Sequence, residues 1–191
     1  MKRNLGLLSS LLISVGIAHG AAIDWTLSGM NSALTDYAGS AAANTTVYLV
    51  LADQSKIATI TDLADASAFT TALDAITVAT VESNSTGKKP ATTTATYESP
   101  LLTAGTSYTF GMLYTSVDSD GNGYYRLLTS ASSISAYDSS DPSSSQAVSL
   151  SWSNMGKASW TKGYTAAAVP EPSTAVLALA GLALLLKRRK A

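Results

Sequence analysis

From Ile23 onward the chain is a succession of short runs rich in Thr, Val, Tyr and Leu, each closed within a few residues by Gly, Asn, Asp or Pro. No other feature narrows the fold as much. Runs of four to eight β-branched and aromatic residues between turn formers suit strands, whereas an amphipathic helix needs apolar residues every three or four positions. Such runs occupy residues 23–28, 45–51, 76–81, 92–98, 108–117, 124–130, 146–152 and 158–164, with Pro100 and Gly105 breaking the chain before the fifth. The run at 45–51 is nearly continuous in apolar character, as a central strand requires. Strands of this length and spacing predict a mainly β fold, a single antiparallel β-sandwich of about seven or eight strands.

One short helix is expected to interrupt them. Across residues 62–76, Phe69, Leu73 and Ile76 recur at helical spacing, with Asp62 or Ser67 available as N-cap. Its apolar stripe suits a flap packed over the edge of the sandwich better than a helix held out for a partner. Residues 130–145 and 84–90, rich in Ser, Asn, Asp and Pro, read as loops, the former as a flexible one.

The two ends belong to a different class. Lys2 and Arg3 precede an apolar stretch from Leu5 to Ile17, and Ala18-His19-Gly20 supplies small residues at a cleavage site. That order is a secretory signal peptide, residues 1–20, cut after Gly20 or alternatively Ala22; an uncleaved N-terminal anchor is the other reading. The exported domain then spans residues 21–168. At the far end, Val169-Pro170-Glu171-Pro172-Ser173-Thr174 leads into an apolar run from Ala175 to Leu186 and a basic stop, Lys187-Arg188-Arg189-Lys190. Each proline disfavours helix in the residue before it, so Glu171 is expected extended, in a form that an enzyme cleft can grip along its backbone. Residues 173–186 would form a helix of about 21 Å at ~1.5 Å per residue, short against a hydrocarbon core of about 30 Å. A short rod with snorkelling cations suits a temporary anchor, its basic cluster cytoplasmic and the domain outside.

Residues 169–190 resemble the PEP-CTERM sorting signal of Gram-negative bacteria, in which Val-Pro-Glu-Pro-Ser/Thr precedes an apolar helix and an Arg/Lys-rich end. The apolar segment here is shorter than is usual for that signal. The resemblance implies that Pro170, Glu171 and Pro172 are read by exosortase, a membrane-embedded transpeptidase-like enzyme that cuts nearby and releases or transfers the exported protein. It also implies export through the inner membrane, a membrane-anchored stage, and a cell-surface or extracellular destination among polysaccharide and biofilm matrix. Signal peptidase would act at the other end.

Chemistry in the middle of the chain is limited by what is missing. There is no cysteine, so no disulfide, thiolate nucleophile or thiol metal site exists, and core burial alone must hold the domain. The only histidine, His19, leaves with the signal peptide, which removes imidazole from any triad or zinc site. Between residues 21 and 168 stand twelve acids against six cations, a net charge of −6 that argues against nucleic acid.

Three patterns remain. The run Asp118-Ser119-Asp120-Gly121-Asn122-Gly123 matches the first half of a calcium loop, with the oxygens of Asp118, Asp120 and Asn122 at positions 1, 3 and 5 and Gly123 at position 6. Position 12 is Thr129 where a bidentate Glu would be needed, and strands flank the run. It therefore fits a plain hairpin turn, or else a weak calcium site. Trp25, Trp152 and Trp160, with Tyr108, Tyr114, Tyr124 and Tyr125, suit core positions, or alternatively a platform for a sugar ring. Glu82 and Glu98, on separate segments, carry no sign of the facing carboxylates that glycoside hydrolysis uses. The expectation is a non-enzymatic exported envelope or matrix protein, with no cofactor beyond weak calcium. The alternative is a glycan- or calcium-binding module on the same address.

Overall fold

The structure, a computed structural model, describes residues 20–28, 32–88 and 94–166. The expected signal peptide up to His19, the Pro170-Glu171-Pro172 motif, the apolar rod and Lys187 to Lys190 lie outside the described residues. In chain order the elements are β1 (Ala21–Ser28), β2 (Thr46–Leu51), α1 (Gln54–Ala58), α2 (Ala66–Asp74), β3 (Thr77–Glu82), β4 (Thr94–Glu98) and β5 (Ser107–Tyr108). There follow β6 (Phe110–Val117), β7 (Gly123–Thr129), β8 (Ile134–Ser135), β9 (Tyr137–Asp138), β10 (Ala147–Ser151), α3 (Trp152–Met155) and β11 (Trp160–Tyr164).

The strands form two main sheets. One runs β10-β1-β4, with β9 also on β1; the other runs β11-β7-β6-β2-β3, and β5 pairs β8 separately. Period-2 alternation decides what each face does. Ala21, Ile23, Trp25 and Leu27 of β1 join Val148 and Leu150 of β10 in one core with Val47, Leu49, Leu51, Phe110, Met112 and Tyr114 of the other sheet. On the outer face of β1, Thr26 shares a hydroxyl hydrogen bond with Thr94 (2.8 Å), and Asp24 accepts one from Thr96 (2.6 Å). Fully burying one large apolar side chain is worth about 1.5–3 kcal/mol. Many such burials, with no disulfide, hold the sheets together.

A second core lies behind the five-stranded sheet, where Val50, Leu113 and Tyr125 meet Ile60, Phe69, Leu73 and Ile76. Strands β2 and β6 are therefore covered on both faces, which accounts for the unbroken apolar character of residues 47–51. The mainly β sandwich is as expected, with differences of detail. The β1–β10 pair is parallel, from Asp24 opposite Ala147 to Ser28 opposite Ser151. Helix α2 covers the outer face of a sheet and not the sandwich edge, and the shorter α1 and α3 accompany it. Its N-cap is Asp65, whose extended backbone lets Oδ1 accept from the Ala68 N–H at 2.8 Å. Asp62 has a left-handed backbone (φ 52°), and Ser67 already lies within the first turn. The expected loop at 130–145 contains β8, β9 and a 3-10 turn at Pro142–Ser144.

Candidate functional site

The hairpin joining β6 to β7 gathers the three residues singled out for calcium. Asp118 Oδ1 accepts from the backbone N–H groups of Asp120 and Asn122, both at 2.9 Å, and Oδ2 accepts from Asn122 Nδ2 at 2.9 Å. Those donors, the Asn122 side chain first, hold the Asp118 carboxyl below its usual range. Gly121 supplies the left-handed position of the turn (φ 83°). The Asn122 side-chain oxygen accepts from the Ala166 N–H at 3.0 Å. A cation bound through Asp118 would compete with three N–H donors that already build the turn.

Beside this turn lies a group of rings at one end of the sandwich. Tyr37, in the loop after β1, stacks on Tyr124 with centroids 4.0 Å apart and is 41% exposed. Its backbone N–H donates to Ser116 Oγ at 2.9 Å, which pins the loop to β6. Trp160 tilts against Tyr37 at 5.8 Å and meets Tyr114 edge-on at 5.2 Å. The Tyr37 hydroxyl is the main cause that pushes the Tyr124 phenol up to about 12. Trp25, Trp152, Tyr114 and Tyr125 are core residues, and Tyr108 packs against the first core, whereas Trp160 and Tyr124 stay partly open. Sequence reasoning missed Tyr37. An aromatic inside the turn-forming run Asp36-Tyr37-Ala38-Gly39 was the available signal.

Arg126 ties this end together. Its Nη1 donates to the Gly156 carbonyl (2.6 Å), to Tyr114 Oη (2.9 Å) and to Thr35 Oγ1 (3.3 Å), and its guanidinium lies 4.5 Å from the Trp160 ring centroid. Tyr114 Oη in turn donates to the Thr35 carbonyl at 2.9 Å. The cation thus joins β7, β6, the loop after β1 and the turn after α3.

Two clefts border the helical layer. One of about 640 Å³ is lined by Ala52, Gln54, Ile57, Ala58, Thr61, Leu127 and Thr129, none of them titratable. The other, about 330 Å³ between α2 and β6, contains Asp74 as its single carboxylate. Neither brings two carboxylates face to face as acid–base hydrolysis requires. Among the described residues no group of three or more His, Cys, Asp or Glu converges as metal ligands would, and no helix is long and apolar enough to cross a membrane.

Comparison with known families finds the PEP-CTERM protein-sorting motif at residues 168–190. No curated protein and no solved structure matches the chain.

Proposed function

We propose that the chain is a non-enzymatic cell-envelope protein, exported, held briefly at the inner membrane by its C-terminal signal, and processed there by an exosortase-like enzyme that reads Pro170-Glu171-Pro172. The PEP-CTERM motif carries this reading: it implies export and membrane-associated sorting toward the cell surface. A sandwich whose clefts lack paired acids suits cargo better than catalyst. A place in the extracellular polysaccharide matrix is the destination that the signal's resemblance implies. Mass measurement of the mature protein tests the reading together with Glu171→Ala. Loss of both ends from the parent, and export without release in the variant, are expected. Normal release of the variant refutes it.

One observation favours a second reading, a glycan-binding module. The stacked Tyr37–Tyr124 pair offers an aromatic face beside polar Asp118 and Ser116, the pattern on which sugar rings stack. Calorimetric titration with neutral oligosaccharides, and with Ca²⁺ for the adjoining turn, tests it. Absence of heat at millimolar ligand ends this reading and leaves the sorting one intact.

A further inference from the structure

We infer that Tyr37 and Tyr124 form an oxidative cross-linking site: a one-electron oxidant driven by peroxide joins their rings through a carbon–carbon bond, stapling the loop after β1 to β7. The chain has no cysteine, so no disulfide can make such a link. The site needs only the folded domain and not the sorting signal.

The fold brings the pair together. In the β6–β7 ladder Tyr124 lies opposite Ser116, and Ser116 Oγ accepts from the Tyr37 N–H at 2.9 Å. Tyr37 itself sits in a tight turn: Asp36 Oδ1 accepts from the Ser40 N–H, and the Asp36 N–H donates to the Ser40 carbonyl, both at 2.8 Å. The two rings stack with centroids 4.0 Å apart and planes 22° from parallel, close to carbon–carbon contact. Their hydroxyls adjoin, which is why the Tyr37 hydroxyl is the main cause raising the Tyr124 phenol, so ortho carbon faces ortho carbon. Among the ring contacts of the described residues, this one alone joins two tyrosines. Tyr37 is also the most exposed tyrosine of the domain, open to an oxidant in solution.

Each phenol gives up one electron and one proton. The two radicals couple along the ring normals, where the π density lies, and each ortho hydrogen then moves to its own oxygen to restore two phenols. Hydrogen peroxide takes the two electrons and two protons, its O–O bond breaks, and two waters result. Both rings belong to one chain, so a pre-formed contact replaces a chance encounter. Trp160, 5.8 Å from Tyr37, is the competing ring, but the Arg126 guanidinium 4.5 Å from its centroid disfavours a second positive charge there. Oxidation thus settles on the phenols, which lose a proton with each electron. The link ties positions 87 apart in sequence and removes freedom from the unfolded chain, as a disulfide would.

Treatment of the detergent-solubilised full chain with a haem peroxidase and hydrogen peroxide, at several protein concentrations, provides the test. A monomer lighter by two hydrogens, blue dityrosine fluorescence and a yield per chain independent of concentration are expected. Peptide mapping should place the link between Tyr37 and Tyr124. Tyr37→Phe and Tyr124→Phe keep a stacked ring but lose one phenol, and each should abolish the product while melting as the parent does. The linked chain should melt above the unlinked one. No mass loss in the parent, a link mapped to other tyrosines, or product found only in dimers overturns the inference. An unraised melting temperature in the linked chain overturns the stapling role.

Discussion

Replacing Arg126 by Met removes a cation that joins four segments at the ring-lined end of the sandwich. The guanidinium donates to Gly156 O at 2.6 Å and to Tyr114 Oη at 2.9 Å, and lies over Trp160. Hydrogen bonds from a charged donor contribute about 1.5–3 kcal/mol each, and the ring contact about 0.5–2 kcal/mol. The sum is an upper bound, because Met refills part of the volume and Tyr114 keeps its bond to Thr35 O. The Gly156 carbonyl loses its donor. A net loss of about 3 kcal/mol is expected, and at ~2–4 °C per kcal/mol for a chain of this size the melting temperature falls about 6–12 °C. Arg126→Lys, which keeps charge but loses the planar fork and the stacking, should fall between. Thermal unfolding of the detergent-solubilised full chain, followed by the fluorescence of Trp25, Trp152 and Trp160, reads both values. If Arg126→Met melts within about 1 °C of the parent, the bracing role assigned to the guanidinium is wrong.

Gly123→Ala places a methyl where the Tyr164 ring lies, and overpacking of this kind costs about 1–3 kcal/mol, readable by urea unfolding. Ser83 is buried, donates to the Ala42 carbonyl and accepts from the Thr45 N–H, both at 2.8 Å, so Ser83→Ala should cost about 1–3 kcal/mol in the same assay. Burial raises the phenols of Tyr48, Tyr114 and Tyr125 above the ordinary value of 10.0. The folded state then keeps protons that the unfolded chain has lost, so this contribution to stability is full below the ordinary value and declines as pH rises through the folded values. Unfolding free energies measured across that interval should fall, and a flat profile would count against buried neutral phenols.

Much of the fold was legible because alternation reports burial directly. Thr, Val, Tyr and Leu between turn formers marked β1, β2, β3, β4, β6, β7, β10 and β11 within a few residues. Phe69, Leu73 and Ile76 marked the amphipathic helix α2. Alternation says which face of a strand is buried, but not which strand lies beside it or in which direction, so the parallel β1–β10 pair was not legible. The two-residue strands β8 and β9 are too short for a period to show, and serine-rich composition concealed them. Asp118, Asp120 and Asn122 were readable as a turn, whereas the use of Asn122 at Ala166 depends on where β11 ends. Tyr37 joins its neighbours only through a loop that folds back across β6.

The parallel partner of β1 comes from almost the opposite end of the domain, since Asp24 lies beside Ala147. A chain made from its N-terminus presents Ile23 and Trp25 long before Val148 and Leu150 arrive to cover them. Contacts so distant in sequence slow folding and prolong the exposure of sticky surface. The first strand therefore waits on nearly the last before its buried face is covered.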